Sequence, residues 1–295
     1  VDRIRHEWYQ HNTSISTESI KEADIVWIVA PWLWKNIKKK YLRDKKVVCS
    51  IYHIEEQGFE QKQIKEFNKR DSFVDLYHVI SLKTKKELEK LTDKEIIYIP
   101  FWSDQNTWFK IDDKDNLRNK YGLPLDAYII GSFQRDTEGS DLKSPKLIKG
   151  PDRLIQIIES KNKEFNKVFI LLSGKRRQYV IKELENLNID YKYFEMVNTE
   201  ELNELYNCLD LYVVASRIEG GPQAIIECAL SKTPIISTDV GIASEFLHNS
   251  SIFNMENFEK AVPNTEKAFQ KSQSYTIPDG FKEYKAMFNS IKLHN

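Results

Sequence analysis

Short β-branched runs alternate with amphipathic helical stretches along almost the whole chain, and this alternation restricts the fold more than any other feature. Candidate strands fall at 24–30, 47–52, 76–80, 96–99, 128–133, 168–172, 211–214 and 234–237. Between them, apolar residues recur at helical spacing over 32–42, 59–69, 83–90, 152–160, 176–187, 200–206 and 222–230. Strand, crossover helix and strand in succession build a parallel sheet with helices on its faces. The expectation is an α/β protein with doubly wound sheets. With 295 residues, 41% of them hydrophobic, the chain can bury more than one core. The rhythm breaks at PFWSDQNTWFKIDDKDN, an aromatic, turn-forming stretch starting at Pro100. A domain junction is read there: an N-terminal Rossmann-like domain over 1–106, a C-terminal one over 107–280, and a terminal helix over 281–295 that packs back on the first.

Forty-four basic side chains balance 44 acidic ones. Binding a phosphate backbone demands a basic excess, so nucleic acid is not an expected partner. No run approaches the ~20 consecutive apolar residues that cross a bilayer, and VDRIRHEWYQ has no apolar signal-peptide core. A cytoplasmic protein is expected, and the opening at Val1 rather than Met leaves room for an N-terminal piece before it. Cys49, Cys208 and Cys228 are too scattered for a disulfide framework or a CxxC metal knuckle and read as core thiols in a reducing compartment. No DxD-like pair falls at a strand end, so no metal is expected. One segment stands apart in charge: PWLWKNIKKKYLRDKK, 31–46, carries two tryptophans and seven basic residues. It can lie on the anionic inner face of a membrane, or be a solvated helix whose tryptophans are core.

The most informative stretch is LYVVASRIEGGPQAIIECALSKTPIISTDVG, Leu211–Gly241, which reads as strand, loop, helix, strand, loop. Pro222 suits a helix start because its missing N–H would be unpaired there. Gly220 and Gly221 let backbone approach a ligand closely, and the free amides and helix dipole ahead of Gln223 favour an anion such as a diphosphate. Glu219 precedes the helix, whereas Glu227 lies inside it, about 8 Å along the axis from Pro222. A carboxylate accepts two hydroxyl hydrogen bonds at once, which suits the vicinal diol of a ribose or a sugar.

Glu219-GGPQAII-Glu227 in this setting resembles the E-x(7)-E signature of the retaining glycosyltransferases of family 4, which have the GT-B fold: two Rossmann-like domains facing each other across a cleft. The likeness continues through ALSKTPIISTDVG and, upstream, LYNCLDLYVVAS with Asp210 and Ser216 in place. GSFQRDTEGSDLKSPKLIKGPDRLIQII resembles the family's strand ending in Arg followed by a Lys-Gly helix opening. It implies that Arg135 and Lys149 hold the departing diphosphate. Thirteen residues separate them, with Lys143 and Lys146 as further cations. VVCSIYHIEE places His53 where members keep a histidine near the transferred sugar, with Ile54 in place of the usual Asp, then Glu55. Ser81, Pro100 and Asp104 match the endings of the family's first domain, so the resemblance runs from about Asp24 to Leu247. No glycine precedes Gly58, whereas members open with a Gly-rich loop; the first domain is therefore expected to be shortened at its start.

The resemblance implies transfer, with retention and without metal or other cofactor, of a sugar from a UDP- or GDP-linked donor to a glycan, lipid-linked or small-molecule acceptor. Catalytic roles fall to Glu219, Arg135, Lys149 and His53, and donor contacts to Glu227, Gly220, Gly221, Pro222, Ser216, Gln223 and Lys175. Front-side attack, with a donor phosphate oxygen taking the acceptor proton, is the mechanism it implies. Each residue also has a plainer reading: Glu219 and Glu227 as solvated carboxylates, Arg135, Lys149 and Lys175 as surface cations, and His53 as a structural histidine like His78. Two other functions stay open, a nucleotide-sugar epimerase or hydrolase using Glu55, Glu56 and Glu219, and a non-catalytic sugar-nucleotide-binding subunit. The absence of GxGxxG after any strand argues against a dinucleotide dehydrogenase.

Overall fold

A computed structural model describes residues 2–54 and 61–293. Glu55, Glu56 and Gly58 lie outside these residues, as do positions 59, 60, 294 and 295 of the expected helices. The chain divides into two compact units, one of residues 1–102 with 275–295 and the other of 103–274.

The first unit holds a parallel sheet of β1 (Ile25–Ile28), β2 (Lys46–Ile51), β3 (Leu76–Val79) and β4 (Ile96–Tyr98), in that order across the sheet. Both faces are covered, which is why β2 reads VVCSI without polar alternation. Val47, Cys49 and Ile51 pack with Trp34, Leu42 and Phe67 on one side. On the other, Val48 and Leu76 meet Trp8 from helix Asp2–Asn12 and Phe281, Tyr284 and Met287 from the terminal stretch. Ring centroids of Trp102 lie 4.7 Å from Phe281 and 4.9 Å from Tyr284, both edge-to-face, the arrangement that aromatic quadrupoles favour.

A polar relay is buried in this second layer. Trp27 Nε1 donates to Ser50 Oγ at 2.9 Å, Ser50 Oγ lies 2.8 Å from His78 Nδ1, and His78 Nε2 lies 2.8 Å from the Ile99 carbonyl. A carbonyl can only accept, so the proton sits on Nε2 and Nδ1 accepts from Ser50. Burial drives the imidazole down to about 4, against the pull of the Ile99 carbonyl. The unfolded chain, near 6.5, binds this proton first, so stability is whole above pH 6.5 and declines as the pH falls toward 4. Between pH 7 and pH 5 the decline from this residue is about 2 kcal/mol. Urea unfolding of the wild type against His78→Phe measures it; parallel losses in the two proteins would mean that His78 is not held neutral.

The second unit holds β5 (Tyr128–Ser132), the hairpin β6 (Thr137–Glu138) and β7 (Ser144–Pro145), β8 (Val168–Ser173), β9 (Tyr191–Phe194), β10 (Leu211–Val214), β11 (Ile235–Thr238) and β12 (Ile252–Phe253). Its six-stranded parallel sheet runs β12-β11-β10-β5-β8-β9. Crossover helices Pro151–Glu164, Gln178–Asn186, Thr199–Asn207 and Gln223–Leu230 cover it, with Ile130, Ile157, Ile170, Leu184 and Val213 at the centre of one face's core. The chain starts at β5, winds outward through β8 and β9, then returns to the opposite side of β5 at β10. That reversal leaves a gap beyond the carboxyl ends of β5 and β10, the place where open α/β sheets take ligands.

One expected helix is corrected. Positions 32–42 are not continuous: a 3-10 turn spans Pro31–Asn36, Ile37 and Lys38 are extended, and a short α-helix runs Lys39–Asp44. Pro31 suits the turn's first position, but β-branched Ile37, extended in the structure, is a poor residue for carrying the helix on.

Candidate functional site

The loops after β5 and β10 converge on one cluster. After β5 come Gln134 and the exposed Arg135, and after β10 come Ser216 and Glu219. Lys149 reaches the same point from the turn ahead of helix Pro151–Glu164, and its Nζ is ion-paired with Glu219 Oε1. Ser216 Oγ lies 3.1 Å from the same Glu219 oxygen and 3.2 Å from Gln134 Oε1, while Gln134 Nε2 donates to the Lys149 carbonyl at 2.9 Å. Four residues from three loops thus converge, with the one Ser216 hydroxyl proton shared between the Glu219 and Gln134 oxygens and Gln134 tied to the Lys149 main chain.

Glycines permit this closeness. Gly150 has φ +64°, and a Cβ there would stand 1.9 Å from the Ala215 carbonyl oxygen. Gly241 has φ +51°, and its Cβ would stand 2.5 Å from the Gly220 carbonyl oxygen, so the Gly220–Gly221 backbone is pressed against the loop after β11. Further ties set the loop after β10. Arg217 N–H donates to the Ile148 carbonyl at 2.9 Å, the Arg217 guanidinium grips both oxygens of Asp152 at 2.8 and 2.6 Å, and Thr238 Oγ1 donates to the Ser216 carbonyl at 2.7 Å. The bidentate Arg217 contact also holds the Asp152 carboxyl below its usual range.

The thirteen residues between Arg135 and Lys149 do not separate them in space. β6 and β7 pair antiparallel as a hairpin, and Lys146 N–H donates to the Asp136 carbonyl at 2.7 Å, so the chain returns to where it left. The return sets Lys146 beside both cations. Partial burial, then the charges of Arg135 and Lys149, push its ammonium down, while Glu138 and Glu219 pull it back. Arg135, Lys146, Lys149 and Glu219 therefore share one electrostatic neighbourhood.

Beneath it lies a pair that the sequence reading did not single out. Arg177 is fully buried, with Nε 2.7 Å from Asp136 Oδ2 and Nη1 bonded to the Gln134 carbonyl. It braces both ends of the Arg135 turn. In the run Lys175-Arg176-Arg177 only position 177 faces inward, a distinction that helical periodicity could not make ahead of the helix start; Lys175 is exposed on the loop after β8. Asp210 is an anchor as well. Burial raises its carboxyl, but the Ile129 amide, Lys114 and Arg118 outweigh this and hold it below its usual range.

Pro222 caps helix Gln223–Leu230, with Gln223 half-buried as its first residue. Glu227, on the helix's second turn, is 6% exposed, and Oε2 accepts from the Tyr206 hydroxyl at 2.8 Å. Tyr206 is fully buried and its phenol is raised well above its ordinary value by burial and by Glu227, so it remains a donor. His53 belongs to the first unit, exposed just past β2 at the edge of a hollow of about 360 Å³. Among the described residues no three or more His, Cys, Asp or Glu side chains are grouped so as to hold a metal ion. No helix among them is long and apolar enough to cross a membrane.

Two Rossmann-like α/β domains, each on a parallel sheet, define the GT-B fold. Residues 142–270, which include Lys149, Glu219 and Glu227, match the family described as glycosyl transferases group 1. The chain is similar in structure to sucrose-phosphate synthase from Thermosynechococcus elongatus, with TM-score 0.74 at 12% identity over 99% of this chain and 78% of that one. A glycosyltransferase from Rickettsia africae gives TM-score 0.69 at 18% identity, over 100% of this chain and 81% of that one. Anabaena Alr3699/HepE, in complex with UDP-glucose, gives 0.68 at 16% identity, over 90% and 79%. At these identities the shared property is the fold. No curated protein sequence matches the chain.

Proposed function

We propose that the chain is a cytoplasmic, metal-independent retaining glycosyltransferase of family 4, moving a sugar from a nucleotide-linked donor to a glycan, lipid-linked or small-molecule acceptor. The observation that carries this reading is the convergence of Lys149, Glu219, Ser216 and Gln134, with Arg135 and Lys146 alongside, beyond the ends of β5 and β10. Breaking the bond between an anomeric carbon and a diphosphate oxygen leaves negative charge on that oxygen. Preorganised cations and amides lower the cost of that charge. Arg135 and Lys149 take this role, with the Gly220–Gly221 amides at the helix tip. Glu219, already held by Lys149 and Ser216, accepts from hydroxyls of the sugar.

The new bond forms between the acceptor oxygen and the anomeric carbon on the face that the diphosphate leaves. The acceptor proton passes to a phosphate oxygen of the leaving group, so no carboxylate base is required. His53 orients the reacting end, and Ser216, Gln223 and Lys175 serve the donor. Residues 142–270 matching a glycosyl transferase family support the reaction class, and the UDP-glucose complex of the HepE protein supports a UDP-linked donor. Three buried, free cysteines accord with a reducing compartment.

Glu227 is assigned to the ribose diol, with Tyr206 fixing its rotamer. Glu227→Ala is expected to weaken binding of the free nucleoside diphosphate by about 10–100-fold, the worth of a hydrogen bond to a charged acceptor. Titration calorimetry with UDP and GDP measures it. Affinity equal to wild type for the nucleotide that binds would remove Glu227 from the site.

A further inference from the structure

We propose that the 31–46 segment, with the adjoining helix Gln61–Asp71, is a docking surface for an anionic lipid bilayer. Two residues apart on the 3-10 turn Pro31–Asn36, the two tryptophans of the segment point to different sides. Trp34 is buried, its ring 6.1 Å from Phe73, whereas Trp32 and its neighbour Leu33 are 63% and 49% exposed. Trp34 is thereby committed to the core, and Trp32 with Leu33 forms an apolar tip at the surface.

Basic side chains predominate around the tip. Lys35, Lys38, Lys39, Lys40 and Arg43 are exposed. Lys35 is ion-paired with Glu66, which joins the segment to helix Gln61–Asp71, where Lys62, Lys65 and Lys69 are exposed and Ile64 is 40% exposed. Across 31–46 and 61–71 there are eleven lysines and arginines against three acids, in a chain whose total charge is zero. Of those three acids, Glu66 is ion-paired with Lys35 and lies 3.7 Å from Lys69, Asp71 accepts from Tyr77 and Thr92, and Asp44 is exposed at the end of the short helix.

An exposed indole beside an exposed leucine gains most where one side is apolar and the other wet, and a ring of lysines gains from lipid phosphates. A nucleic acid would satisfy the lysines but not Trp32 and Leu33. A bilayer with anionic headgroups satisfies both, which is why it is the occupant inferred. The inference stands independently of the donor chemistry, which turnover without vesicles reads separately.

The test is flotation and fluorescence of the full chain with vesicles of phosphatidylcholine alone, or mixed with phosphatidylglycerol, their acyl chains brominated for the optical measurement. Of the six tryptophans, Trp8, Trp34, Trp102 and Trp108 are buried and Trp27 is half-buried, so quenching by bromine reports Trp32. Salt-sensitive binding to the mixed vesicles with quenching is expected, and Trp32→Phe is expected to abolish the quenching while keeping most of the binding. At about fivefold per lysine near a charged surface, K38Q/K39Q/K40Q is expected to bind about 10²-fold more weakly. Absence of binding, binding without quenching, or undiminished binding of the triple variant would each overturn the proposal, as would binding to heparin but not to vesicles.

Discussion

Replacing Lys149 with alanine is expected to lower turnover of the nucleotide-sugar donor by about 10²–10³, with a much smaller change in donor KM. The charge that Lys149 meets grows only as the glycosidic bond breaks, so removing the ammonium affects the transition state more than the bound donor. Arg135→Ala is expected to act in the same direction. Lys146 keeps one cation in place in either variant, which is why the loss is not larger. The substitution also takes the cation from the largely buried Glu219 carboxylate, so the melting temperature is recorded beside turnover to separate stability from catalysis. Steady-state kinetics of Lys149→Ala beside Lys163→Ala, an exposed lysine on helix Pro151–Glu164, makes the comparison. Turnover within about threefold of wild type would show that Lys149 does not hold the leaving group.

Gly150→Ala is expected to be the most damaging single-methyl change in the second unit. The new Cβ would meet a backbone carbonyl at 1.9 Å, and backbone atoms cannot swing aside as the tip of a side chain can. A left-handed conformation adds about 1 kcal/mol for any residue with a Cβ. The loop carrying Ala215 and Ser216 would have to move, so a loss of about 2–4 kcal/mol is expected together with loss of nucleotide binding. Gly122→Ala isolates the conformational part: φ is +57°, but the nearest atom is the flexible Lys192 Nζ at 3.0 Å, and about 1 kcal/mol is expected. Guanidinium unfolding of both variants measures the difference. Equal losses would mean that the approach of Gly150 to Ala215 is not what the glycine serves.

What could be read from the sequence follows the sheet from its middle outward. β5, β8, β10 and β11 are buried on both faces and announce themselves as apolar runs, and all four stand among the expected strands. The two strands that pattern does not reveal, β9 and β12, are the sheet's two edges. YKYF is half-buried throughout and β12 has only two residues, so neither shows the signal of a covered strand. The site divides in the same way. Glu219, Lys149 and Ser216 sit in motifs whose residue types declare their chemistry, and the structure brings them together. Gln134, Tyr206 and the Asp136–Arg177 pair act through partners 15 to 82 positions away, and no local spacing encodes such contacts. Positions 32–42 read as one helix because Trp34, Ile37 and Tyr41 recur at spacings of three and four, and nothing in that period shows that the backbone is extended at Ile37 and Lys38.

The hairpin of β6 and β7 leaves and re-enters the body of the unit at a single point, where Asp136 and Lys146 are joined by one hydrogen bond. Whatever is grafted onto a stem closed in this way leaves the base undisturbed, since loop length costs little once the ends are fixed. The interval between the arginine and the lysine is thus free to drift among relatives while their positions in space stay put. A search that demanded a set gap between those two cations would pass over such chains, and one that allowed a stalk of any length between them would find them.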